Sequence, residues 1–295
     1  MQKILVIGSI NVDFVVSSKV RPKIGETVIG EKLTVTYGGK GANQAIAAAR
    51  LKASVSMIGK VGVDFIANDV LENLNKNNVD ISNVESIKQS ETGSAHITLS
   101  DGDNSIIVIP GANNCFEKNF IEKFSQVILQ HDFVIVQNEI PAFIVEQVLD
   151  FCYINNIDTI YNPAPFREIA LDTLLKAKYI TPNEHEAISL LKTKNLKEIV
   201  KQYPNQVIIT LGSKGAMYFD GEKIVKVKAI KTTVVDTTGA GDTFNGALAV
   251  ALSKDEPLFK AINFANVAAS LSIEKLGAQA GMPSLSMVEE KFKKL

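Results

Sequence analysis

The chain has 295 residues, 46% of them hydrophobic and 21% charged, which is enough to bury a sizeable core and too apolar for disorder. Lys plus Arg is 31 against 32 Asp plus Glu, and a net charge of −1 gives no electrostatic case for nucleic acid or an anionic membrane as partner. Two cysteines, Cys115 and Cys152, and three scattered histidines, His96, His131 and His185, exclude a disulfide scaffold and a histidine-rich metal centre.

Residues 4–7 are apolar throughout, as a strand covered on both faces should be. Asn11 and Asp13 follow at once without a small-residue cleavage pattern, so this start reads as a buried first strand rather than a secretory leader. No apolar run approaches the roughly 18 residues of a membrane helix. A soluble, reducing, cytoplasmic setting is expected. Next come an alanine-rich helix at 42–51, a strand at 55–58 and a helix at 69–77. A strand at 133–137 leads to a helix starting near Pro141, where proline is tolerated. Residues 159–162, 179–181 and 207–211 are strand candidates with helices between them, and 240–252, 257–275 and 286–294 are helical. Strands alternating with helices predict an α/β fold: a central, mostly parallel sheet flanked by helices, with right-handed crossovers.

Two regions break the rhythm. Residues 14–37 and 92–109 hold strand-like pieces with turn residues and no helix, and Asp101-Gly102-Asp103-Asn104 is a hairpin signal. They predict a small β-sheet that could act as a lid. A further hairpin is expected at 213–227, turning at Asp220-Gly221. There is no internal repeat or linker, and Lys291, Lys293 and Lys294 read as a solvated helix end.

Three constellations carry chemistry. In Ser9-Ile-Asn-Val-Asp13, an extended backbone puts residues 9, 11 and 13 on one face, roughly 6.6 Å apart per pair. An amide and a carboxylate in line suit adjacent hydroxyls of a polyol; a polar strand end with an Asx turn is the plain alternative. In Gly38-Gly-Lys-Gly-Ala-Asn-Gln44, three glycines in four positions let backbone approach a ligand where a helix offers free N–H groups, with Asn43 in reach; a strained turn is the alternative. It is not a Walker A loop. In Asp236-Thr-Thr-Gly-Ala-Gly-Asp-Thr-Phe244, a glycine-rich loop feeds a helix N-terminus, a ready anion site. Asp242 sits in the first turn, where the helix dipole is expected to keep it ionised and able to accept a hydroxyl proton. An anion cradle, an oriented alcohol and a carboxylate are what phosphoryl transfer needs. The alternative is an aspartate that merely stabilises its own helix.

Weaker signals complete the set. Asn183 and Glu186 would share a helix face and could hold hydrated Mg²⁺, or could be a cap and an acidic first turn. Thr210, Leu211, Gly212, Ser213, Lys214 and Gly215 follow a strand and could lie against a nucleotide. Glu139 would stand at a strand's C-terminal end, where open α/β sheets place ligands. No histidine is assigned to catalysis, and there is no Gly-x-Ser-x-Gly elbow, Cys/His pair or Gly-x-Gly-x-x-Gly fingerprint after the first strand.

Together these motifs, in this order and across the whole chain, resemble the ribokinase-like (PfkB) family of sugar kinases. The resemblance implies a single kinase domain over 1–295 with the lid formed by about 14–37 and 92–109, and ATP-dependent phosphorylation of D-ribose at its 5-hydroxyl. It implies a sugar site of Asn11, Asp13, Gly39, Lys40, Gly41, Asn43 and Glu139, and Asp242 as catalytic base. The N–H groups of Gly239, Ala240, Gly241 and Asp242 would stabilise the transferred phosphoryl group. Asn183, the segment 210–215, Gly241 and Asn266 would contact ATP, and Glu186 would organise Mg²⁺ through water. A monovalent-cation site for K⁺ would use Asp236, Thr238, Ser272, Lys275, Gly277 and Gly281. A homodimer through the lid is also implied. Related acceptors, such as deoxyribose, another sugar or a nucleoside, and a sugar-binding protein without turnover are the competing readings.

Overall fold

In a computed structural model the described residues are 3–100 and 103–293. In chain order the strands are β1 (Lys3–Ile7), β2 (Asn11–Ser17), β3 (Lys32–Gly38), β4 (Ser54–Val61), β5 (Val79–Ser86), β6 (Gly93–Ser100), β7 (Asp103–Ile109), β8 (Phe133–Gln137), β9 (Asp158–Asn162), β10 (Tyr179–Ile180), β11 (Ile209–Thr210), β12 (Ala216–Phe219) and β13 (Ile224–Val227). The helices are α1 (Lys40–Arg50), α2 (Ala67–Lys76), α3 (Phe120–Leu129), α4 (Ala142–Ile154), α5 (Leu171–Leu174), α6 (Glu184–Leu191), α7 (Leu196–Gln202), α8 (Ala240–Leu252), α9 (Leu258–Ser272) and α10 (Leu285–Phe292).

The apolar runs form a parallel six-stranded sheet in the order β10-β9-β8-β1-β4-β5. Alternation along these strands splits the core. Ile4, Val6, Met57, Phe133 and Ile135 face α1, α8 and α9. Leu5, Ile7, Ile58, Val134, Val136 and Tyr161 face α3, α4 and α7. From β1 the chain moves one way to β4 and β5, and β8 lies on the other side of β1. The crevice between the C-terminal ends of β1 and β8 is therefore the switch point, where open α/β sheets bind ligands.

The expected lid is a four-stranded sheet in the order β3-β2-β6-β7. It begins earlier than the sequence reading placed it: β2 starts at Asn11, only four residues after β1 ends, so the chain passes directly from core sheet to lid. The turn expected at Asp101-Gly102 lies outside the described residues, but Ser100 pairs with Asp103 across it. The hairpin at Asp220-Gly221 joins β12 to β13, and with β11 these form a separate antiparallel sheet. Two bridges, Ile180 to Val207 and Asn183 to Thr210, attach that sheet to the edge of the parallel one. β5 was not anticipated, and α9 stops at Ser272, short of Lys275.

α1 and α8 cross closely. A Cβ at Gly246 would meet the Gln44 carbonyl at 2.7 Å and the Ala47 Cβ at 2.8 Å, so only glycine allows this approach. The alanines of α1 are fully buried against Ala247, Leu248 and Ala251 of α8. The alanine-rich stretch is thus a helix trimmed to lie flush on its neighbour, and the crossing sets the first turn of α8 beside the first turn of α1. No helix among the described residues is long and apolar enough to cross a membrane.

Candidate active site

Asp242 is buried, in the first turn of α8, and both its oxygens are engaged by α1. The Asn43 side chain donates to Oδ2 at 2.9 Å and the Gln44 side chain to Oδ1 at 3.0 Å. Burial pushes the Asp242 carboxyl above its ordinary range; the Lys40 ammonium and the two amide donors oppose this without cancelling it. This corrects the expectation that the helix dipole would govern its charge. A carboxylate raised in this way is a stronger proton acceptor. In return Asp242 is the main cause of a raised Lys40 pKa, with Glu139 adding to it against the effect of burial.

Gln44 was quoted in its motif but given no role, and it is a hub. Its amide donates to Asn162 Oδ1 as well as to Asp242, and its carbonyl accepts from Gln137 Nε2 at 2.7 Å. It therefore ties Asp242 to β8 and β9.

The switch point brings the polyol residues to the same place. Ser9 donates its hydroxyl to Glu139 Oε2 at 2.6 Å, and the Lys40 N–H donates to the same oxygen at 3.0 Å. Gly39 adopts φ +87°, and a Cβ there would meet the Asn11 nitrogen at 2.7 Å, so glycine is required where β3 turns into α1 beneath β2. The Gly41 N–H donates to Ser9 Oγ at 3.3 Å. Asn11 is buried, and its carbonyl oxygen accepts from Asn113 Nδ2 at 2.7 Å. Asn113 also takes the Ile10 N–H at 2.9 Å, so it fixes the start of the lid; nothing in its sequence context signalled this. Burial first, then Glu139 and Asp242, raise the Asp13 carboxyl to about 6. Asp13, Lys40, Glu139 and Asp242 are thus close enough to shift one another's charge, with Asn43 bonded to Asp242, in partly desolvated surroundings rich in hydrogen-bonding groups.

At the head of α8 the Ala240 N–H turns to the Thr237 carbonyl at 3.2 Å. This narrows the expected cradle, because that donor is already engaged. Gly241 and Asp242 keep the orphan N–H groups of a helix start, and nothing lies within 4 Å of where a Cβ on Gly241 would stand. Asn183 and Glu186 form a capping box at the start of α6: each side chain accepts the other's N–H at 2.9 Å. Burial raises the Glu186 carboxyl although the Asn183 N–H opposes it. The capping alternative describes this pair, and a backbone bridge from Asn183 to Thr210 brings it beside the segment 210–215. There Gly212, Ser213 and Lys214 are exposed in a 3₁₀ turn that Gly215 closes. The Asn266 amide instead donates to the Val227 and Lys228 carbonyls, pinning the end of β13.

Of the residues named for a monovalent cation, Asp236, Thr238 and Gly277 are joined by hydrogen bonds. Asp236 accepts from the Thr238 N–H at 2.9 Å, the Thr238 hydroxyl at 2.6 Å and the Gly277 N–H at 2.8 Å. Burial would raise its carboxyl, but these donors outweigh burial and lower it. The Ser272 hydroxyl donates to the Ala269 carbonyl, which leaves its oxygen lone pairs available, and Gly281 lies directly against the Ser272 carbonyl. Lys275 is on the same loop with its side chain exposed. Among the described residues no group of three His, Cys, Asp or Glu side chains is placed to hold a metal.

Residues 1–285 match the family described as pfkB family carbohydrate kinase. The chain is 48% identical over 296 residues to a ribokinase of Lactococcus lactis, covering 100% of this chain and 98% of that protein. It is 46% identical over 294 residues to a ribokinase of Bacillus subtilis, covering 98% and 99%. Among solved structures, an Arabidopsis thaliana ribokinase complexed with ribose and ATP superposes with a TM-score of 0.92 at 32% identity, over 99% of each chain.

Proposed function

Because the chain belongs to the pfkB family of carbohydrate kinases, we propose that its switch-point crevice transfers the γ-phosphoryl group of ATP to the 5-hydroxyl of D-ribose, giving D-ribose 5-phosphate and ADP. The observation that carries this is the meeting of α1 and α8: Asp242, a buried acceptor at a helix N-terminus, stands beside Lys40 and Asn43 and opposite Asp13 and Glu139.

Asn11, Asp13, Asn43 and Glu139 hold the sugar hydroxyls, and Gly39 and Gly41 let the backbone come close. Asp242 accepts the proton of the 5-hydroxyl as its oxygen attacks the γ-phosphorus. The bond to the β-γ bridging oxygen breaks and ADP leaves. The transition state is loose, so positioning and charge stabilisation do most of the work. The Gly241 and Asp242 N–H groups and the Lys40 ammonium face the charge on the moving phosphoryl group. Asn183 and the segment 210–215 lie on the ATP side, with Asn266 shaping that wall through β13.

Mg²⁺ would neutralise phosphate charge; the single carboxylate of Glu186 fits an ion that keeps most of its waters. An all-oxygen set of Asp236 and the Thr238, Ser272, Lys275, Gly277 and Gly281 carbonyls fits K⁺, and Asp236 retains one of about four acceptor positions for it. We further propose a homodimer through the lid, where Val16, Leu33, Val35, Ile107 and Ile109 stand exposed on one face. Two free cysteines and the use of ATP fit the cytoplasm.

The test is ADP release with ATP and Mg²⁺ on D-ribose, 2-deoxyribose, fructose and adenosine, with and without K⁺. Ribose-selective turnover that rises with K⁺ is expected. Preference for another acceptor would overturn the substrate, and no turnover with ATP still bound would point to a binding protein.

A further inference from the structure

Asp242 is one end of a chain of side-chain hydrogen bonds that leaves the crevice altogether. Asn43 donates to Asp242 Oδ2, and Gln279 Nε2 donates to Asn43 Oδ1 at 2.9 Å. Asn73 Nδ2 donates to Gln279 Oε1 at 2.8 Å, while Asn77 Nδ2 donates to the Asn73 main-chain carbonyl at 2.8 Å and makes a longer contact to Asn73 Oδ1 at 3.4 Å. The chain ends at Arg50, whose Nε donates to Asn77 Oδ1 at 2.8 Å. Its members come from α8, α1, the loop after α9, α2 and the C-terminal end of α1.

Each end fixes the direction of the amide beside it. A guanidinium has no acceptor, so Asn77 must turn its oxygen to Arg50. An ionised carboxylate has no donor, so Asn43 must turn its NH₂ to Asp242. From Asp242 outward the amides of Asn43, Gln279 and Asn73 point the same way and each polarises the next, and Asn77 joins them chiefly through the Asn73 main-chain carbonyl. Arg50 also holds the loop itself, donating to the Gln279 and Met282 carbonyls.

We propose that Gln279 is a positioning residue for the phosphoryl-transfer base, the link through which this polarised amide chain holds Asn43 as a donor and Asp242 in its ionised, acceptor-ready form. Gln279 touches no substrate. It is buried and both halves of its amide are used, although it sits on a loop with exposed residues at 274, 275, 276 and 280. Without it, Asn43 Oδ1 loses its partner and the Asn43 amide is free to rotate, presenting its oxygen or nothing to Asp242. The charged groups that face Asp242 directly are Lys40 on α1, Glu139 after β8 and Asp13 on β2, and none belongs to the chain.

The inference rests on the kinase reading for Asp242's role, so its test includes a readout independent of turnover. Protein labelled with carboxyl-¹³C aspartate would be titrated by NMR, with the Asp242 signal assigned by its loss in Asp242→Asn. Gln279→Met keeps the side-chain length and removes both polar atoms. The Asp242 titration should move up by about half to one pH unit, and kcat at neutral pH should fall about tenfold, with both KM values nearly unchanged. The acid limb of the kcat profile should move up with the titration. Asn73→Ala breaks the next link outward, from a half-buried helix position that tolerates alanine, and should give a smaller shift in the same direction; it stands in if Gln279→Met fails to fold. An unmoved Asp242 titration in the folded variants overturns the proposal, as does a loss of kcat equal at all pH values. Wild-type protein silent on ribose would sink the substrate assignment and leave the NMR result to decide the chain.

Discussion

At the scale of single residues, the site depends on a few carboxyls in unlike surroundings. Asp242→Asn keeps the shape of the buried pocket and removes the proton acceptor. Its kcat should fall about 10²–10⁴-fold, while calorimetry finds ATP binding unchanged; near-normal turnover would take the proton-accepting role from it. Asp13 makes a prediction of opposite sign about stability. Its carboxyl is raised from 3.8 to about 6 in the fold, so the folded chain holds this proton more tightly than the unfolded chain. The stability tied to that proton is fully present below 3.8 and is lost as the pH rises through about 6. Asp13→Asn should therefore stabilise the ligand-free protein more at pH 8 than at pH 5, by about 1 kcal/mol in denaturant melts. Ribose binding needs the acceptor form, so the wild-type KM for ribose should climb as the pH drops below about 6; a flat profile would mean the carboxyl does not hold the sugar. The residues proposed for direct chemistry stood out because their motifs are local: Asn11 and Asp13, Asn43, and Asp242 each stand in a short run with glycines or a helix start. Ser9, Gln44, Asn113 and Gln279 had no such signal as partners. They act by holding other side chains, and Gln44 meets Asp242 across 198 positions of sequence.

At the scale of elements, the α1–α8 crossing is the part that tolerates least. Gly246→Ala puts a methyl group against the Gln44 carbonyl and the Ala47 methyl. Thermal melts should show a loss of about 1–3 kcal/mol. Turnover should fall with it, since pushing α8 away withdraws Asp242 from Asn43 and Gln44; an unchanged melt with full activity would show that the helices separate freely. The same elements explain which parts of the fold were readable. β1 and β8 are buried on both faces, so they read as unbroken apolar runs. β5 is the edge strand, and its pattern in Val79–Ser86 mixes exposed and half-buried positions, which left no apolar run to find. β10 and β11 are two residues each, held by their neighbours rather than by their own preference. α1 starts at Lys40, before its alanines, because the turn at Gly39 and the Ser9 and Glu139 acceptors fix the first turn from outside the helix.

At the scale of the whole molecule, no helix among the described residues covers the outer face of the lid sheet, where Val16, Leu33, Val35, Ile107 and Ile109 are exposed. If that face joins two copies, sedimentation should report a dimer at micromolar concentration, and Ile107→Asp should shift it to monomer; a monomeric wild-type chain would refute the lid interface. The passage from β1 straight into β2 has one more consequence. Two of the proposed sugar-binding groups, Asn11 and Asp13, ride on the lid sheet, whereas Asn43 and the proposed proton acceptor Asp242 sit where two helices of the core press together. On that reading, part of the selectivity is built on an element separate from the reactive centre. A lineage could try new acceptors by drifting along β2, β3 and β6 while its engine stayed untouched, and a protein engineer seeking a kinase for another sugar should randomise that sheet and leave the helix crossing alone.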